Sequence, residues 1–167
     1  MSHPELVYPA SRYDGEPGLV NARFRPADHE PEVRNRAGGS VHYLATGAGT
    51  DGEFGLYRWE MSAGQTGPDA HFHRTISESF YVLSGTIRLF DGERWIDATP
   101  GDFLFVPEGG IHAFRNESGA PASMLILFAP GAPREDYFET TAKIAAGLVL
   151  SDEEKAAFYL RHDTYWR

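Results

Sequence analysis

Two histidines two residues apart, His71 and His73, are followed by Glu78 and, much further along the chain, by His112. On a β-strand residues i and i+2 point to one face, so the first two imidazoles enter one interior together, whereas a helix would place them on different faces. The same alternation groups Glu78, Phe80 and Val82 on one strand and His112, Phe114 and Asn116 on another. Three strands thereby deliver three imidazoles and one carboxylate toward one point. That donor set suits one divalent first-row transition metal (Fe, Mn, Ni, Co, Cu or Zn) and leaves coordination positions open for substrate, water or dioxygen. A structural zinc site would instead fill all its positions, preferentially with cysteine, and this chain has no cysteine. Around a dication these donors leave a residual positive charge, which favours an anionic substrate oxygen such as an enolate, phenolate or carboxylate. Glu78 is also the candidate catalytic base, ligating at rest and accepting a substrate hydroxyl proton when displaced. His3, His29, His42 and His162 have no comparable context and read as solvated or structural.

Such a constellation needs a β scaffold, and the chain between residues 41 and 128 supplies one. Short β-rich runs at 41–46, 54–61, 79–83, 86–90, 95–98, 103–106, 111–115 and 122–128 are separated by Gly/Pro turns. Eight strands of this kind predict a closed barrel or jelly roll, an all-β fold. Asp91-Gly92 suits a two-residue hairpin, Thr99-Pro100-Gly101-Asp102 a type II turn with Gly at the positive-φ position, and Pro107-Glu108-Gly109 another tight turn. Before the barrel, residues 1–40 are rich in Pro, Gly and charge and read as an extended N-terminal arm. After it the period changes. Residues 135–146, ending at Gly147, read as a helix, and Ser151-Asp152-Glu153-Glu154 is a capping box opening a second helix that runs to about Arg161. The expected organisation is an arm (1–40), a barrel (41–130) and a helical extension packing on it (131–167).

A chain of 167 residues fits one domain and one active site. Its net charge of −9 and the lack of a concentrated basic patch argue against nucleic acid or an anionic membrane as partners. No apolar leader or membrane-length run is present, and a cytoplasmic protein without disulfides is the simplest expectation. The arm makes a homodimer the expected assembly. Aromatic residues are plentiful on the strands, among them Phe72, Phe103 and Phe105, and most are expected to be core. Tyr57 and Trp59 share a face with Met61, while Phe80 and Phe114 share faces with Glu78 and His112. These four aromatics are the candidate substrate pocket, a lining suited to a flat, hydroxylated small molecule. In the strand at 122–128 both alternating sets are largely apolar, so alternation alone does not choose the inward one.

The spaced residues resemble the cupin superfamily, whose two motifs bracket a turn-and-strand spacer. The first ends His71-x-His73-x4-Glu78-x6-Gly85, and the second is Gly101-x5-Pro107-x-Gly109-x2-His112-x3-Asn116, with fifteen residues between the bracketing glycines. One departure is Gln65, which stands where the first motif usually opens with Gly, although Gly64 and Gly67 are adjacent. The resemblance covers about residues 40–130 and implies a double-stranded β-helix with His71, His73, Glu78 and His112 as metal ligands. The extension after Phe128 looks like the tail of small single-domain cupins similar to the quercetinase group, which ranks a dioxygenase first. A redox-neutral polyketide cyclase or isomerase and a non-catalytic small-ligand-binding protein are the alternatives the same ligands allow.

Overall fold

The computed structural model describes residues 8–167; residues 1–7, with His3 and the start of the expected arm, lie outside the described residues. In chain order the strands are β1 (Val33–Arg34), β2 (Ser40–Ala45), β3 (Gly55–Met61), β4 (His71–Phe72), β5 (Ser77–Ser84), β6 (Ile87–Phe90), β7 (Trp95–Ala98), β8 (Phe103–Val106), β9 (Ala113–Arg115) and β10 (Ala122–Ala129). Helices α1 (Glu135–Ala145) and α2 (Asp152–Arg161) follow, and β11 (Tyr165–Trp166) comes last. A six-stranded antiparallel sheet, β1-β2-β3-β10-β5-β8, faces the three-stranded sheet β7-β6-β9, and β11 pairs with β4. The architecture is the all-β double-stranded β-helix that the resemblance implies, with two helices after the barrel.

Alternation sorts the strands as a half-buried pleat requires. Glu78, Phe80 and Val82 of β5 all face the interior, as do Met124, Ile126 and Phe128 of β10, the set that alternation alone had left open. Burying a ring such as Phe80 or Phe128 contributes about 1.5–3 kcal/mol, so this interior is the main source of barrel stability. On β8 the outward set is the aromatic one. Phe103 and Phe105 are 63% and 56% exposed, correcting the expectation that they are core, because Val106 pairs with Glu78 and takes the inward position.

The turns follow their chemistry with one exception. Gly101 has φ +97° and the Asp102 amide donates to the Thr99 carbonyl at 2.9 Å, a type II turn as expected. Asp91-Gly92 does not make a two-residue hairpin. The loop has four residues because the Asp91 side chain accepts from the Glu93 and Arg94 amides, both at 2.9 Å, an Asx turn that outcompetes the tighter connection. The capping box is present in full, with the Glu154 amide donating to Ser151 Oγ at 3.1 Å and the Ser151 amide to Glu154 Oε2 at 2.7 Å. Strands β1, β4 and β11 are two residues long each; β1 and β11 escape pattern reading, and β4 holds His71 of the expected His-x-His strand while His73 lies just past its end. The pairing of β1 with β2 means that the extended part of the N-terminal segment stops before Val33.

Candidate metal centre

Ligand placement begins with the backbone. His71 and His112 exchange both of their main-chain hydrogen bonds, at 3.0 and 2.9 Å, as an antiparallel bridge. Residues so paired project side chains from the same face, and their rings lie 4.3 Å apart. One step on, the Gly109 amide donates to the His73 carbonyl at 2.7 Å, fastening the Pro107 turn to the first histidine segment. Gly109 has φ +81°, a conformation available to glycine with little strain. Glu78 is fixed from both sides, lying opposite Phe128 on β10 and Val106 on β8. All four side chains are buried, between 1% and 4% exposed. One donor atom from each lies within 4.8 Å of the others.

The tautomers are set by the outer nitrogens. Nδ1–H of His71 donates to the Asp69 carbonyl at 2.8 Å, that of His73 to the Asp163 carbonyl at 2.6 Å, and that of His112 to the Gly110 carbonyl at 3.0 Å. Each Nε2 is thereby aimed inward as the basic atom, the second-layer arrangement of ligating imidazoles. Glu78 Oε2 lies 2.8 Å from His112 Nε2 and 3.1 Å from His73 Nε2. Burial pushes the His71 imidazole down to about 3, helped by His112, so it is neutral, the form that binds cations. For His112 burial is the largest single influence and lowers it, but the Glu78 charge and hydrogen bond together outweigh this and raise it. Burial likewise opposes the Glu78 charge, yet His112 and His73 hold its carboxyl well below the ordinary range. A buried carboxylate of this kind requires a cationic partner. Three inward Nε2 atoms, one anionic oxygen and no thiolate fit a divalent first-row metal.

Two supporting residues escaped the sequence reading. Asp163, at φ +51°, takes the left-handed conformation and gives its carbonyl to His73. Its carboxylate accepts from the Arg74 and Thr75 amides and from Thr75 Oγ1, at 2.7–3.1 Å. Arg134 is 3% exposed, donates to the His162 carbonyl at 2.6 Å and lies 4.1 Å from the Tyr137 ring centre. Its charge offsets that of Glu78. Asn116, read from the sequence as an inward residue and the last position of the second motif, latches the loop before His71. Its Nδ2 donates to the Ser62 and Ala120 carbonyls at 3.1 and 2.7 Å. At the departure from the motif, Gln65 Oε1 accepts the Ser62 amide at 3.1 Å and Gly64 carries the positive φ, so the turn closes without glycine at position 65.

Asp163 yields a direct test. Asp163→Ala removes the carboxylate from the Arg74 and Thr75 amides and keeps an unfavourable positive φ, so metal affinity is expected to fall about 10–100-fold. Asp163→Asn, which tolerates that φ and keeps one acceptor oxygen, is expected to lose less. Competition against a chelator reads both.

Of the four aromatics expected to form the pocket, Phe80 and Phe114 pack close to the ligands, with Phe80 5.8 Å from the His112 ring and 5.7 Å from Phe114. Tyr57 is fully buried, and its hydroxyl donates to Glu135 Oε1 at 2.5 Å, which makes it a link between barrel and α1. Trp59 is the member that lines a cavity. That cavity, of about 490 Å³, lies between the 64–69 loop, α1, Tyr159 and Trp166, beside the four ligands and not among them. The other histidines among the described residues have structural or surface roles, as expected: His29 is exposed, His42 lies against Arg58, and His162 pairs with Asp136 at 2.9 Å.

A double-stranded β-helix whose interior converges three histidines and a glutamate defines a class of barrel with an interior that fits one metal. Residues 57–128 match the cupin domain family, and the chain carries a small cupin domain. It is 31% identical over 120 residues to the quercetin 2,3-dioxygenase of Bacillus subtilis (strain 168), a match covering 71% of this chain. The match takes in 35% of that enzyme, so the chain spans about a third of its relative's length. Among solved structures, the RmlC-like cupin from Shewanella frigidimarina superposes with a TM-score of 0.56 at 21% identity, covering 70% of this chain and 96% of that one. KdgF from Halomonas sp. gives 0.57 at 16% identity, covering 66% and 96% respectively. The TT1209 protein of Thermus thermophilus gives 0.51 at 26% identity, covering 59% and 89%.

Proposed function

We propose that this protein is a metal-dependent dioxygenase acting on a small hydroxylated aromatic or enol. The observation that carries this reading is the buried convergence of His71, His73, His112 and Glu78, each histidine anchored through Nδ1, in a chain related to a quercetin 2,3-dioxygenase. A redox-active divalent ion held by these four residues would supply Lewis acidity and a path for electrons between substrate and dioxygen. The three imidazoles hold and orient through Nε2, and their number leaves positions for exchangeable oxygen ligands. Glu78 is the base of the site. Its Oε2 already sits within hydrogen-bond reach of two ring nitrogens, and on substrate arrival it accepts the hydroxyl proton, leaving an oxyanion. The barrel interior excludes water, which strengthens the attraction between that oxyanion and the cationic centre.

Oxygen uptake measured with quercetin and simpler phenols, after loading with Fe, Mn, Ni, Co or Cu, tests the reading. Uptake that depends on the metal is expected. Full turnover of substrate under nitrogen would overturn it, as would the lack of uptake with every metal.

We further propose a homodimer. Leu19, Val20 and Phe24 of the extended N-terminal segment are 60%, 109% and 90% exposed, so they find no apolar cover within the described residues. Light scattering before and after removal of residues 1–31 is expected to show a dimer becoming a monomer; an unchanged mass would place the contact elsewhere.

A further inference from the structure

The cavity beside the metal centre exists because the segment after the barrel folds back over it. Tyr137 comes from α1, Tyr159 from α2 and Trp166 from β11, and they close against Trp59 of β3. At about 490 Å³ it falls within the range of small-molecule sites. Its wall is strongly aromatic. Tyr159 and Trp166 meet edge to face at 4.8 Å, and the Trp59 indole N–H is buried without a hydrogen-bond partner, a donor left unmatched beside the cavity. Two charged groups complete the lining, Arg36 and Asp69, neither of which forms an ion pair among the described residues. An aromatic wall favours a flat ring, an unpaired guanidinium an anionic substituent, and a carboxylate acceptor a hydroxyl. One of these residues also touches the metal centre. Trp166 pairs with His71 across β11 and β4, and its ring lies 5.5 Å from the His71 imidazole.

We infer that this cavity binds the ring of a hydroxylated aromatic anion, held by Trp59, Tyr137, Tyr159 and Trp166 with Arg36 as the anion partner. Trp166 is the wall shared with His71, so a ring bound here rests one side chain from the metal ligands. The binding does not depend on the proposed oxygenase reading, because the cavity lies beside the four ligands and not among them.

Calorimetric titration of the full chain with 4-hydroxybenzoate, metal-loaded and chelator-treated, tests the site. Binding is expected in both forms, and more weakly for cyclohexanecarboxylate, which lacks the π face. Arg36→Met removes the guanidinium, and Ala145→Trp fills the cavity from α1 without altering its aromatic wall. Both positions are exposed, so the barrel folds unchanged, and each substitution is expected to weaken binding about tenfold or more. Absence of binding, its disappearance with the metal, or indifference to both substitutions would overturn the inference. Oxygen uptake separates the two readings: intact binding without uptake defeats the oxygenase alone, and uptake that persists where no binding of the ring is detected defeats the cavity alone.

Discussion

His73→Ala is expected to leave the purified protein without metal. Two losses coincide at this residue: Nε2, which lies 3.1 Å from Glu78 Oε2, and the Nδ1–H donated to the Asp163 carbonyl at 2.6 Å. The first removes a donor, and the second releases the segment that carries Trp166 from the histidine it supports. Outer partners alone are worth about 10–100-fold in metal affinity, so loss of an inner donor together with its outer bond is expected to cost more than a hundredfold. Glu78 would then keep only His112 as a hydrogen-bonded imidazole in a buried site, a less compensated charge that also lowers stability. His112→Ala is expected to behave similarly, because that side chain lies 2.8 Å from Glu78 and its backbone is bridged to His71. His29→Ala, at an exposed residue outside the cluster, is the matched control. Elemental analysis is expected to give about one metal per chain for the parent and for His29→Ala, and near none for His73→Ala. One retained metal in His73→Ala would remove that residue from the ligand set.

Much of this site was legible because strand alternation is a rigid rule. Once His71 and His73 share a face, and Glu78 shares one with Phe80 and Val82, the only remaining question is which strands meet. The glycine turns answered part of it, since Gly101 adopts the positive φ its turn position suggested and Gly109 does so within the expected tight turn after Pro107. What stayed hidden depends on contacts distant in sequence. Asp163 lies 90 residues from the histidine it supports, and no periodicity connects a helix-terminal aspartate to a barrel ligand. Arg134 precedes α1 and reads as an ordinary solvated charge until the helix folds back and buries it. The two-residue strand β11 is too short to carry a pattern, yet its pairing with β4 brings Trp166 onto His71. Phe103 and Phe105 show the opposite failure. Aromatic identity suggested burial, but the inward parity of β8 belongs to Val106, and parity prevails because a strand cannot turn both faces to one core.

Glu78→Gln is expected to separate metal retention from turnover. The substitution preserves shape, and the amide oxygen can occupy the place of Oε2, so the three imidazoles keep their Nδ1 anchors and the cluster keeps its packing. What disappears is charge and basicity. The anion that raises His112 is gone, which leaves burial to lower that imidazole and favours its neutral, metal-binding form. Against this, a neutral oxygen is a poorer donor to a dication, so metal content is expected to fall only in part. The amide cannot accept the substrate hydroxyl proton, and loss of a positioned base costs about 10²–10⁴-fold in rate. Arg134 then faces no opposing charge from Glu78, which sets a modest stability loss beside the kinetic one. Metal content and oxygen uptake measured on the same preparation, with uptake expressed per bound metal, give the ratio that decides. A fall in uptake per metal of about a hundredfold or more is the signature of a base. Parallel losses of metal and uptake, leaving that ratio unchanged, would reduce Glu78 to a ligand alone.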